Sequence, residues 1–227
     1  MADHAAAMEG HLQLLKELRG RERATPTRIR EVKRWQAERL AATYADVASQ
    51  PRYEAATRFF LEDLYGPKDF SGRDQAMLRI VPVMSRVLPA SAVETAAMAV
   101  ELDALSEDLD QRLAIRLGTR ALDAESYAQA YRASSTRAER ERQIVLIDAV
   151  GRRLDALVKK PLLGKTLHLM RQPARMAGLE DLQDFLERGF DAFRGMRGAD
   201  DFLELVRTRE TQLLNRLFSG EAPASSA

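Results

Sequence analysis

A chain of 227 residues is long enough to bury one sizeable core. Its 45% apolar and 30% charged residues suit a folded protein, and 35 basic against 34 acidic side chains leave a net charge of +1, so no global field steers it to nucleic acid or membrane. The absence of Cys excludes disulfides, Cys-ligated zinc, thiolate nucleophiles and iron–sulfur clusters.

In chain order, residues 3–18 read as a first helix, with Leu12, Leu15 and Leu18 on one side. Arg19-Gly20-Arg21-Glu22-Arg23 reads as a basic hinge. Thr25-Pro26 then starts a second helix, an N-cap followed by the favoured first-turn proline, running to about Ser49. A third helix, 52–65, carries Tyr53, Ala56, Phe60 and Leu64 on one stripe and stops at Gly66-Pro67. Ser71-Gly72-Arg73-Asp74 resembles a capping box and opens a fourth helix, 72–88, which Pro82 should kink or split. Ser91-Ala92-Val93-Glu94 is a second box. It opens the longest helix, 92–117, whose nearly all-apolar first half marks it as the central one. Gly118 ends it, Asp123 caps 124–133, and Thr136-Arg137-Ala138-Glu139 is a third box for 137–160. Helices 161–171, 179–196 and 200–218 follow, with Gly189 permitting a close approach on the second of these. The expectation is an all-α, bundle-like domain of nine or ten helices packed round 92–117, with 137–160 and 179–196 as its main neighbours. Its organisation reads as an N-terminal helix and hinge (1–24), a main domain (25–219) and a disordered tail (220–227).

The run Phe59-Phe60-Leu61-Glu62-Asp63-Leu64-Tyr65-Gly66-Pro67-Lys68-Asp69-Phe70-Ser71-Gly72-Arg73-Asp74, the proline-broken segment Arg79–Pro89 and Leu182–Phe190 together resemble an uncharacterised family of bacterial proteins. The resemblance covers most of the chain. It implies an all-helical fold and carries no activity and no catalytic residue.

Residue types point to several candidate sites. Asp63, Tyr65, Lys68, Asp69, Arg73 and Asp74 place charge around one turn and form a candidate ligand or partner surface, although turn residues with local hydrogen-bonding roles more often serve structure. Phe59, Phe60, Met84, Met98, His168 and Met170 are the candidate lining of a pocket for a small apolar ligand or haem. Arg19 to Arg39, with Trp35, form a basic segment that suits weak nucleic-acid binding, but interspersed acids favour a solvated face. Glu101 and Asp103 point about 200° apart, so at most one faces the core, and a buried acid there needs an Arg partner. No nucleophile elbow, P-loop or dinucleotide fingerprint occurs, and no metal or cofactor is expected. The first residues lack a signal-peptide pattern, and no apolar run approaches the roughly 18 residues of a membrane span. The resulting expectation is a cytoplasmic, non-enzymatic binding or scaffolding protein that partners another protein or a second copy of itself, with neither nucleic acid nor membrane as the expected partner.

Overall fold

The computed structural model describes residues 2–24, 26–64, 70–87 and 90–221, and among these every regular element is helical. In chain order they are α1 (Ala2–Ala24), α2 (Pro26–Thr43), α3 (Ala45–Ala48), α4 (Glu54–Phe59), a π-helical stretch (Phe60–Leu64), α5 (Ser71–Val87) and α6 (Ala90–Leu117). They continue as α7 (Ala124–Ser134), α8 (Arg137–Val158), α9 (Leu163–Leu169), α10 (Arg171–Met176), α11 (Glu180–Gly195) and α12 (Asp200–Ser219).

Local chemistry sets several of these ends. Thr136 and Glu139 close a reciprocal capping box on α8, and Asp123 does the same with Ser126 on α7. Each box satisfies N–H groups that the first helical turn leaves without partners. Gly118 and Gly220 take left-handed φ values of 59° and 100° just past α6 and α12, conformations that cost a Cβ-bearing residue steric energy. Two expected boxes are absent. Ser91 lies inside α6, where its carbonyl accepts from Thr95, and Glu94 turns outward to Arg153. Asp74 binds Arg19 and Arg73 instead of reaching back to Ser71. α5 runs through Pro82 undivided, the hinge expected at Arg19–Arg23 is the continuing helix α1, and the expected 161–171 helix divides at Met170. The expected caps at Thr25 and Gly66-Pro67 fall outside the described residues.

α6 is the axis, about 42 Å long at ~1.5 Å per residue. It touches α1, α2, α5, α7 and α8. α1 is its most extensive neighbour, and α11 instead packs on α4, α5, α8, α9 and α10. Three apolar clusters form the interior. One joins α1, α5 and the first half of α6 through Met8, Leu12, Val81 and Val100. A second joins α2, the end of α6, α7 and α12 through Val32, Leu113, Ala130 and Leu214. The third joins α3, α4, α8, α11 and the start of α12 around Phe193, Met196 and Phe202. Glycine sets the distance between two helix pairs. A Cβ on Gly189 would sit 2.9 Å from the Phe59 ring, and one on Gly151 would sit 2.3 Å from Leu203 Cδ2. Leu203 is 1% exposed and cannot swing aside. Gly151→Ala is therefore expected to lower stability: overpacking of about 1–3 kcal/mol outweighs the roughly 1 kcal/mol gained in helix propensity. Urea unfolding checks this, and a midpoint at or above that of the parent would show that the α8–α12 interface has slack.

Candidate functional site

The middle of α6 differs from its ends. Between the apolar clusters it turns Asp103, Glu107, Asp110 and Gln111 toward other helices. Arg19 of α1, 5% exposed, meets three carboxylates: Asp74 at 2.5 Å, Asp103 at 3.0 Å and Glu107 at 3.9 Å. Arg73 also pairs with Asp103 and lies over the rings of Phe70 and Phe185. Lys33 of α2 bridges Glu107 at 2.9 Å and Glu22 at 2.7 Å, and Gln111 donates to both Glu107 and the Leu18 carbonyl. Burial works against the Arg19 charge, but Asp103, Asp74 and Glu107 more than offset it and hold the guanidinium protonated. Asp74 responds in the opposite sense. Burial, assisted by the neighbouring charge of Asp103, lifts it to about 6 in spite of Arg19 and Arg73. Burial opposes the charge on both groups: the carboxylates prevail over it at Arg19, and it prevails over the two arginines at Asp74.

Beside this seam lies a partly enclosed cavity of about 90 Å³, bounded by α2, α4, the π-helical stretch, α6, α7, α8 and α12. Its wall is divided by chemistry. Phe60, Leu61, Ile144, Ile147, Phe202 and Leu213 form an apolar side. On the polar side, Arg39 forks onto Glu210 at 3.4 Å, and Glu210 also accepts from the Tyr44 hydroxyl at 2.9 Å. Burial, then the Glu210 charge, raises the Tyr44 phenol far above its ordinary value, so it stays a donor. Asp110 accepts from Gln36 at 2.9 Å and makes no ion pair among the described residues. Burial lifts its carboxyl to about 6 against the pull of Arg140 and Gln36.

Arg140 is the unusual member. It is 4% exposed, lines the cavity, and has no carboxylate within ion-pair distance among the described residues. Its Nε donates to Ser135 Oγ at 3.1 Å, its Nη1 to Gln143 at 3.4 Å, and its guanidinium lies 4.0 Å from the centroid of the Tyr131 ring. Its Nη2 has no hydrogen-bond partner, and neither does the Oγ1 of buried Thr57, which also lines the cavity.

The sequence-predicted residues are divided between these places and others. Arg73 and Asp74 enter the seam, whereas Asp63 receives Arg188 of α11 at 3.0 Å. Tyr65, Lys68 and Asp69 lie outside the described residues. The six expected pocket residues do not come together. Phe60 lines the cavity, Phe59 packs on Gly189 and Phe185, Met98 is half-buried on α6, and His168 and Met170 are exposed near the α9–α10 junction. The Met84 side chain lies outside the described residues. In the basic segment, Arg19, Lys33 and Arg39 are turned inward and Trp35 stacks on Tyr127, while Arg30 and Arg34 remain exposed. Glu101 and Asp103 both find arginines, Arg142 on one side of α6 and Arg19 and Arg73 on the other. Sequence reading missed Gln36, Tyr44, Asp110, Arg140 and Glu210. Arg140 stands in the run Arg137–Gln143, whose dense charge reads as a solvated face, and the one usable signal nearby was the Tyr127/Tyr131 pair at helical spacing.

Residues 7–224 match the family described as Domain of unknown function (DUF8198). The chain belongs to the DUF8198 family. No curated protein and no solved structure matches it. The DUF8198 match spans both the charge seam and the cavity, so both lie within the family's domain. Among the described residues, no helix is long and apolar enough to cross a membrane.

Two outcomes follow from the electrostatics. Arg19→Met leaves Asp74, Asp103 and Glu107 enclosed around a missing cation, and it is expected to cost about 3–5 kcal/mol in chemical denaturation at neutral pH. Adding Asp74→Asn should recover part of that loss. For Asp110, the raised carboxyl keeps its proton in the folded state between its ordinary 3.8 and about 6. The folded state binds more protons there, so stability falls as pH rises across that window. Asp110→Asn is expected to be more stable than the parent at neutral pH by on the order of 1–3 kcal/mol, with the gap closing as pH drops toward 4. Melting curves across that range give the comparison, and a pH-independent gap would place Asp110 in ordinary solvent.

Proposed function

We propose that this DUF8198 protein is a non-catalytic binding protein that takes a small carboxylate with an apolar end into the α2–α8–α12 cavity. The observation that carries the reading is Arg140, a buried guanidinium that lines the half-apolar cavity and whose Nη2 has no hydrogen-bond partner. An unpaired buried charge is costly, and a carboxylate is its natural complement through charge-assisted hydrogen bonds. Thr57 Oγ1 supplies a further unpartnered group, and Phe60, Ile144 and Phe202 offer surface for a hydrocarbon end. At about 90 Å³ the cavity suits a ligand of roughly half a dozen non-hydrogen atoms and is too small for a porphyrin. Glu210 does not compete for Arg140, because Arg39 and Tyr44 already hold it.

This narrows the broader expectation of a binding or scaffolding module. A bacterial, cytoplasmic setting belongs to the same reading, supported by the lack of Cys and by the motif resemblance. The test uses butyrate and isovalerate, with butyramide and isovaleramide as uncharged controls of matching shape. The acids are expected to raise the melting temperature and the amides are not. Ligand at about 100-fold its Kd stabilises by roughly 2.7 kcal/mol. Arg140→Met should abolish the response, and Arg140→Lys should retain part of it. Equal responses to acids and amides, or none at saturating concentration, would refute the carboxylate reading.

A further inference from the structure

From Ala156 to Leu179 the chain holds Lys159, Lys160, Lys165, Arg171 and Arg175 and no acidic residue, although the whole chain is nearly neutral. This segment is the end of α8 followed by α9 and α10 with their flanking turns. Met170, between the two helices, keeps right-handed helical angles of φ −77° and ψ −9°, so they join through a kink and not a loop. One face is packed. Leu163 and Leu167 lie against the third apolar cluster, Ala174 is buried, Gly164 sits under Phe190, and Gln183 holds the Leu167 carbonyl at 2.7 Å.

The opposite face is apolar as well, yet nothing among the described residues covers it. Leu162, Leu169 and Met176 are 70%, 75% and 87% exposed. They are spaced seven residues apart: Leu162 and Leu169, with Lys165 between them, lie on the side of α9 turned away from Leu163 and Leu167, and Met176 lies on the side of α10 turned away from Ala174. Exposure this high means that the side chains protrude. Residues that line a groove for a partner helix are mostly enclosed. The cations fall into two groups. Lys159 and Arg171 are held by Asp155 and Glu187, and Asp184 and Asp191 of α11 also lie near Arg171 on the packed side. Lys160, Lys165 and Arg175 are exposed and make no ion pair among the described residues.

We infer that the outer face of α9–α10 docks on an anionic membrane surface, with Leu162, Leu169 and Met176 entering the headgroup boundary and Lys160, Lys165 and Arg175 contacting acidic lipid headgroups. Protruding apolar tips flanked by long cationic side chains are the pattern of helices that lie in that boundary. The lack of a membrane-crossing helix bears on spanning and leaves surface docking open. A second copy is the poorer occupant, because the symmetric contact would bring like charges together. A nucleic acid would make no use of exposed Leu and Met. The inference does not rest on the cavity, which is lined by other elements.

The test is flotation of the full chain with vesicles of phosphatidylserine and phosphatidylcholine in equal amounts, against phosphatidylcholine alone. Binding is expected to the mixed vesicles only and to weaken with salt. Lys160→Glu/Lys165→Glu should lower it at least about tenfold, since each basic side chain near such a surface contributes roughly fivefold. Leu169→Ser/Met176→Ser should lower it at least about tenfold as well. All four positions are exposed, so the melting temperature should hold in both variants and separate lost binding from lost folding. No flotation, or equal flotation with both vesicle types, overturns the inference. Binding that survives Leu169→Ser/Met176→Ser but not the charge reversals overturns it in favour of a general polyanion site. A dimer in sedimentation that Leu169→Ser/Met176→Ser dissolves overturns it in favour of a second copy.

Discussion

Arg19 is held among three carboxylates where little water can reach it. A charge in that position is tolerated only while its partners stay in place, because desolvation of the ions is repaid only by good geometry on all sides. The partners come from α5 and α6, and the cation from α1. α1 and the distant pair α5 and α6 must therefore dock together or not at all. α1 is also held by its apolar stripe, Met8, Leu12, Leu15 and Leu18, each fully buried. The charge contact gives it a register as well as an attachment: Asp103 and Asp74 meet α1 at position 19, and the Gln111 bond to the Leu18 carbonyl fixes the same level from the backbone.

The seam and the cavity are two treatments of the same problem. In the seam, cations and carboxylates interleave, and Lys33 of α2 is tied to α1 through Glu22 and to α6 through Glu107. One turn further along α6 the balance changes. Asp110 has an amide for a partner, and Arg140 has a hydroxyl, an amide and an aromatic face. Opposite charges face a shared space without closing on each other. That arrangement costs stability in the unliganded protein and keeps the space polar on one side. The π-helical stretch supports it from the other side by bringing Phe60 and Leu61 to the wall.

Much of the architecture was legible from residue order. The helical periodicities, the Thr136–Glu139 box, the Gly118 stop, the axial role of α6 and the close approach at Gly189 rest on local chemistry that one segment can reveal. What stayed hidden depends on which face of a charged helix turns inward. Arg19 lies in a run of alternating charge that reads equally well as hinge, solvated helix or buried cation, and only the placement of Asp74 and Asp103 decides among them. Arg140 is hidden for the same reason. Its neighbours Arg137 and Arg142 point to solvent, and the three are indistinguishable in type. Ser91 and Ser71 show the converse error. A capping pattern was present, but tertiary pairing of the acid three residues on took precedence.

The stacking of Trp35 on Tyr127 at 4.0 Å has an optical consequence. Trp35 is the only tryptophan in the chain, so its emission comes from one address. The Tyr127 hydroxyl lies 3.4 Å from Gln36, which in turn holds Asp110. A proton gained or lost at Asp110, or a solute entering beside it, acts on that indole through three contacts. The molecule thus carries a built-in fluorophore stacked on a wall residue of its own cavity, and needs no label for the occupancy of that space to be followed in real time.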